Sequence, residues 1–163
     1  MRANQRLAVT GGSRRSFEAH SYLLDPLASL LPAGHPRHLQ GAWSASDLEC
    51  IEIADRVLVV GAPLSCVDAV LALWRQGHRG AMRLVSPHGL LHTVRAGLAP
   101  EAAERIAALR AVGRLDVCAG EVTGAAAYGD TFVVDILPRG RALHSSERYD
   151  WIVTCTPAPE LGE

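Results

Sequence analysis

The sequence contains no lysine, so all 16 of its basic residues are arginine. A phosphate-binding P-loop needs a lysine after its glycines, and a pyridoxal phosphate enzyme needs one for its Schiff base, so both classes are excluded. The 16 basic residues face 17 acidic ones, which gives a net charge of −1. General nucleic-acid binding is therefore not expected, because it requires a basic surface.

Cysteines and long apolar runs are also few. None of the four cysteines forms a C-x-x-C pair or has zinc-finger spacing with a histidine. We therefore expect reduced thiols, no metal site and a cytoplasmic protein. No secretory signal follows Met1, and no stretch approaches the roughly 20 apolar residues of a membrane span, so no membrane partner is predicted. The cysteines are Cys50, Cys66, Cys118 and Cys155.

A β-α-β unit is the clearest pattern in the chain. The β-branched run Val57–Val60 is typical of a strand buried on both faces of a parallel sheet. Residues 64–76 carry apolar side chains at helical spacing, and Gly77 then suits the end of a helix. The segment Met82–Val85 predicts a second strand.

Later segments extend this pattern. Residues 100–112 predict a second helix with Pro100 at its first position. The strands expected after it are 115–118, an antiparallel pair at 121–127 and 131–137, and a last strand at 149–155. The fold class is therefore α/β, a Rossmann-like three-layer domain over 43–163 with a central parallel sheet and a β-meander. Residues 1–42 are an N-terminal extension of uncertain structure, with leucines at helical spacing over 23–31.

In such folds a ligand binds at the carboxyl ends of the strands, where the first helix begins. A dinucleotide-binding G-x-G-x-x-G loop is expected there, but Pro63 and Cys66 occupy the second and third glycine positions. The prolyl ring removes a backbone donor and stands where a phosphate would approach. The candidate cofactor-binding residues in this loop are Gly61, Ala62, Leu64 and Ser65.

A second group of candidates follows the second strand. An acid that binds ribose is expected about 20 residues after the loop, and Ser86 lies in that region instead. His88 is a further candidate, and with Arg83 it would favour a 2′-phosphate, although Arg83 equally suits a solvent-facing strand position. His88 and His92 are four residues apart, but Gly89 argues against a helix that would join them at a zinc ion.

Neither of two possible nucleophiles has a supporting motif. Cys66 lies at a helix start, where a thiolate would be stabilised, but plain packing is the preferred interpretation. Ser65 lacks the G-x-S-x-G elbow of a hydrolase. No catalytic residue is predicted.

These motifs resemble the FAD/NAD(P)-binding oxidoreductases, whose pyridine-nucleotide half carries V-L-x-x-G-T-G-L-T-x-V-D. The similarity runs through residues 56–68, then through 75–80, which is similar to R-R-G-H-R-G, and 86–91, similar to S-R-x-G-L-L. A looser similarity covers 134–140, which ends like R-P-R-G, and 153–157, which is similar to I-N-C-T-G-P. The resemblance implies a Rossmann-type nucleotide fold and a pyridine-nucleotide cofactor.

The departures from that family concern its cofactor sites. No N-terminal flavin-binding glycine motif is visible, so FAD is not expected. Pro63 and Pro157 stand at loop glycines of the family, and Pro87 stands at its arginine. The sequence therefore predicts a truncated relative of the NAD(P)-binding half, with impaired dinucleotide binding and no catalysis of its own.

Two main functions remain open. The first is an accessory scaffold for a protein or peptide partner, with a homodimer as one form, because an open sheet edge or the leucine stripe would serve such contacts. The second is a working NAD(P)H- or adenine-nucleotide-binding domain of an oxidoreductase. A redox enzyme in its own right ranks third, since the chain shows no intact cofactor loop.

Overall fold

A computed structural model of the chain describes residues 27–40, 44–90 and 97–155. Its seven described strands are β1 (His38–Leu39), β2 (Val57–Gly61), β3 (Met82–Ser86), β4 (Leu115–Tyr128), β5 (Thr131–Pro138), β6 (Ser145–Tyr149) and β7 (Trp151–Cys155). The described helices are a 3-10 helix (Ala45–Cys50), α1 (Pro63–Arg75) and α2 (Pro100–Ala111). None of these helices is long and apolar enough to cross a membrane.

The strands form one sheet in the order β1-β7-β2-β3-β4-β5-β6. Its first five members run parallel, with β2 at the centre between β7 and β3. The β2 segment Val57–Val60 is fully buried, as its continuous apolar sequence predicts. Both helices and the 3-10 helix pack on one face of this parallel part.

Strand β4 joins the parallel sheet to the meander. Its first residues, 115–119, pair with β3 in parallel, and residues from Gly120 onward pair antiparallel with β5. A Cβ atom at Gly120 would lie 2.4 Å from the carbonyl oxygen of Leu137, so the close approach at this bend needs glycine. The segments predicted as two strands, 115–118 and 121–127, therefore form one strand. Its hydrogen bonding continues through the bend, although the sequence of buried and exposed side chains changes there.

The predicted last strand, 149–155, is in fact two. Strand β6 ends at Tyr149, and Asp150 turns the chain by binding the backbone of Arg56, whose N–H donates to Asp150 Oδ2 at 2.8 Å. Strand β7 then begins at Trp151. Most of β6 was not predicted from the sequence, because Ser-Ser-Glu-Arg-Tyr is a polar segment. The strand lies at the edge of the sheet.

The meander forms the third layer. Leu58, Val60 and Ile152 of the parallel sheet share one buried cluster with side chains of the antiparallel strands. The face opposite the helices is thus covered by sheet, which confirms the predicted three-layer architecture. The meander members of the cluster are Phe132, Val134, Ile136 and Tyr149.

Residues 27–40 pack into the same structure. Leu27 and Leu31 are buried in the cluster beneath the meander, and the His35 ring lies 4.6 Å from the ring of Phe132. The described residues 27–31 form a turn and not a regular helix, although their leucines have helical spacing. The other stripe leucines, at positions 23 and 24, lie outside the described residues. Two of the stripe's leucines therefore serve the chain's own core, and Leu30 stays exposed.

A half-buried ion pair ties the meander to the parallel sheet. The Arg83 guanidinium on β3 binds the Glu147 carboxylate on β6, and Tyr149 donates its hydroxyl to the same carboxylate at 2.8 Å. Burial alone would raise the pKa of Glu147, but the Tyr149 hydrogen bond and the Arg83 charge lower it. Burial and the adjacent carboxylate raise the pKa of Tyr149 above its ordinary value. Glu147 is thus held ionised between its two partners.

The Arg-x-Gly-His-Arg-Gly segment closes the turn between α1 and β3. Gly77 has φ +87°, and the amides of Arg79 and Gly80 both donate to the Ile53 carbonyl at 2.8 Å. A Cβ atom at Gly80 would lie 2.1 Å from the Asp55 carbonyl oxygen. This motif therefore packs the turn against the loop that precedes β2, far from the carboxyl ends of the strands.

His78 in this turn is buried. Burial lowers the pKa of His78, and the nearby charge of Arg114 lowers it further. The backbone of Glu52 and Asp55 and the Asp55 carboxylate act in the opposite direction but do not compensate. The folded state therefore holds the neutral imidazole.

We expect acid to destabilise the fold through His78. As the pH falls through about 6.5, the unfolded chain takes up a proton that the folded chain resists, so stability is lost. The His78→Phe variant should show a smaller fall in melting temperature between pH 7.5 and 5.5 than the native chain. Exposed His144 supplies the control, because His144→Gln should leave that fall unchanged. Equal falls in all three proteins would contradict the role of His78.

Candidate functional site

The candidate site lies where the parallel strands end and α1 begins. Gly61, Ser86 and Cys155 are the last residues of β2, β3 and β7, and Ala119 ends the parallel part of β4. Because all four strands run in the same direction, their carboxyl ends meet at one edge of the sheet. The predicted loop and the predicted Ser86 region are thus brought to a common edge.

Gly61 allows β2 and β7 to approach each other closely. Its φ is +133°, and a Cβ atom there would lie 2.0 Å from the carbonyl oxygen of Cys155. The next residue, Ala62, donates its N–H to that same carbonyl at 3.1 Å. The first glycine of the loop is therefore required by strand packing, whatever the loop binds.

Helix α1 begins without side-chain capping. Ala62 is the N-cap, Pro63 is the first helical residue, and the Cys66 amide donates to the Ala62 carbonyl at 2.9 Å. Leu64 is exposed and Ser65 is half-buried on the first turn. A helix N-terminus attracts anions through its first amides, but here the Ala62 amide is committed to Cys155 and Pro63 has none.

Ser86 and His88 occupy the turn that follows β3. The Ser86 side chain is buried, and its hydroxyl donates to the Gly89 carbonyl at 2.8 Å. The Gly89 amide returns a bond to the Ser86 carbonyl at 3.1 Å. The hydroxyl predicted to meet a ribose therefore closes its own turn, whereas His88 stays half-buried at the edge.

The arginine at this edge is Arg139, whereas the sequence suggested Arg83. Arg83 pairs with Glu147 and also lies 3.3 Å from an Asp116 oxygen, so its charge stabilises the sheet. Instead, Arg139 reaches the edge from the turn after β5: its amide donates to Ala119 at 2.7 Å and its guanidinium contacts His88 Nδ1. The segment similar to R-P-R-G contains Arg139, but only the folded meander shows that it meets His88.

Two cysteine thiols lie beneath the loop. Cys66 and Cys155 are both buried, and burial together with the hydrogen bond to the Cys155 thiol raises the pKa of Cys66. A raised pKa opposes the thiolate that redox chemistry requires, so packing is the favoured role. Among the described residues, no group of three potential ligands could hold a metal ion. His92 and Pro157 lie outside those residues.

No protein-family model and no curated protein match this chain. Several solved structures resemble its fold. The lysine monooxygenase NbtG from Nocardia farcinica, whose structure is described for an unprecedented conformation of its NADPH domain, has a TM-score of 0.54 and 23% identity, over 76% of this chain and 37% of that one. The ornithine N-hydroxylase KtzI from Kutzneria, solved with reduced FAD, NADP⁺ and ornithine, has a TM-score of 0.60 and 14% identity.

Each comparison covers less than half of the other protein. The KtzI match spans 79% of this chain and 42% of that one. The ornithine hydroxylase PvdA from Pseudomonas aeruginosa matches over 84% of this chain and 43% of its own, with a TM-score of 0.53 and 17% identity. These likenesses confirm that the chain has the Rossmann-like fold of the NADPH-binding portions of flavoprotein oxidoreductases.

We expect Gly61 to be far less replaceable than Gly77. Both have positive φ, but a Cβ atom at Gly77 would meet nothing within 4 Å. Gly77→Ala should therefore cost only the backbone strain, about 1–2 kcal/mol. Gly61→Ala adds the clash with Cys155 and should cost about 1–3 kcal/mol more. Urea unfolding of both variants measures the difference, and equal losses would refute the proposed approach of β2 and β7.

Proposed function

We propose that this protein is a Rossmann-type scaffold in which dinucleotide binding is impaired, and that it serves as a non-catalytic accessory to a protein or peptide partner. One observation carries the proposal. At the position where a dinucleotide loop offers its backbone to pyrophosphate, the Ala62 amide is 3.1 Å from the Cys155 carbonyl and Pro63 has no amide.

The size of the expected loss follows from the missing donor. A hydrogen bond to a charged group contributes about 1.5–3 kcal/mol, which corresponds to about 10- to 150-fold in affinity. The prolyl ring also fills space at the first turn of α1. Ser86 adds to the deficit, because its hydroxyl is already bound to Gly89.

The open edge of the meander supports the accessory role. In the described sheet, β6 is the terminal strand and pairs only with β5. Such an edge presents backbone donors and acceptors to which an extended peptide can add as a further strand. We propose this edge of β6 as the contact surface for the partner.

A second candidate function is retained because one observation favours it. Arg139 and His88 place a guanidinium and an imidazole in contact at the carboxyl edge, close to where the family carries the arginine replaced here by Pro87. Such a pair would suit a phosphate of NADPH or of another adenine nucleotide. This alternative makes the chain a working NAD(P)H-binding domain of an oxidoreductase.

Calorimetry with NADPH, NADH and FAD separates the two functions. We expect the native chain to show no saturable binding tighter than about 100 µM, since the lost hydrogen bond alone would weaken a micromolar site about 10- to 150-fold, to about 10–150 µM, and the prolyl ring would weaken it further. Pro63→Gly should strengthen NADPH binding by about the same factor, because it restores an amide and removes the ring.

Pro32→Gly is the matched control, since Pro32 is exposed and distant in sequence from the loop. It should leave NADPH binding unchanged. Saturable NADPH binding by the native chain below about 100 µM, with no gain from Pro63→Gly, would reject the scaffold and establish the nucleotide-binding domain.

A further inference from the structure

A cleft of about 470 Å³ opens beside α2, away from the loop at the start of α1. The turn after β3, the inner side of α2 and the parallel part of β4 enclose it. Ligand cavities commonly measure about 300–1,000 Å³ and are mainly apolar with a few polar groups. This cleft has that character: its larger apolar lining residues are Leu90, Leu98, Ile106 and Val117.

The small residues of α2 create the space. Ala103, Ile106, Ala107 and Arg110 recur at helical spacing and line the cleft along one face of the helix. Ile106 is buried and Ala107 is exposed, and both alanines present only a methyl group to the cleft. The cleft therefore exists because the side chains at positions 103 and 107 are small.

The charged side chains at the cleft are arginines. Arg110 lines it, and Arg139 lies beside it in contact with the ring of the lining residue His88, whereas no described acidic residue lines it. The ion pairs within the described part of the chain are made by Arg56 and Arg83. Arg110 and Arg139 thus have no described carboxylate as ion-pair partner, and the cleft is complementary to an anion.

We propose that this cleft binds an organic carboxylate with a short apolar chain. The carboxylate lies against the Arg139 guanidinium beside His88, since charged hydrogen bonds to a guanidinium are the strongest available there. The apolar chain lies along Ile106 and Val117, which removes its surface from water. This site is separate from the α1 loop, so it does not depend on the proposed loss of dinucleotide binding there, but it shares Arg139 and His88 with the alternative nucleotide-binding function.

The test compares three ligands of equal chain length on the full chain: octanoate, octanol and octylammonium. By calorimetry or ¹⁵N-detected titration, octanoate should bind about tenfold or more tightly than octanol, since the difference is one charged hydrogen bond. Octylammonium should not bind. Equal binding of octanoate and octanol, or no binding of octanoate, would overturn the proposal.

Two variants locate the site. Arg139→Gln should weaken octanoate binding about tenfold and leave octanol unchanged, whereas Arg148→Gln removes an equal charge from the exposed surface of β6 and should change neither. Ala107→Trp should abolish binding of octanoate by filling the cleft, and circular dichroism should confirm that it folds. Undiminished octanoate binding by Ala107→Trp, or displacement of octanoate by 2′,5′-ADP at equal concentration, would refute the assignment.

Discussion

The backbone contact between the ends of β2 and β7 sets the geometry of the whole carboxyl edge. Gly61 has no Cβ atom, so the Cys155 carbonyl can lie against it and accept the Ala62 amide. Helix α1 starts at the next residue, and its first turn places Cys66 in the core beside Cys155. The direction of α1, the packing of the helical face and the shape of the loop all follow from that one close approach.

The same contact limits what the loop can bind. A phosphate-binding loop needs amides that point outward and a small residue that lets the phosphate come close to the backbone. Here one amide points into the sheet, and the next position is a proline that begins the helix well because it needs no donor. Because proline has no amide to offer, the same residue that starts the helix well opposes anion binding. Among the described residues at this edge, Arg139 is a cationic group and contacts His88.

The sequence predicted the parts of the fold that rest on local patterning. The buried run of β2, the spacing of α1 and the proline that opens α2 all match the structure to within one or two residues. It could not show that β4 continues through Gly120, that polar β6 is a strand, or that residues 38–39 pair with β7, since these depend on partners distant in sequence. At the site, Ser86 and His88 could be named, but the commitment of Ser86 to Gly89 and the arrival of Arg139 arise only from the folded chain.

The commitment of the Ala62 amide to Cys155 is the central claim, and amide hydrogen exchange measured by NMR tests it most directly. Ala62 should exchange as slowly as Val57 at the start of β2, whose amide donates to the Ala81 carbonyl at 3.0 Å. Millimolar NADPH should leave the exchange rate of the Ala62 amide unchanged. An Ala62 amide that exchanges rapidly in the free protein and becomes protected on addition of NADPH would contradict the account.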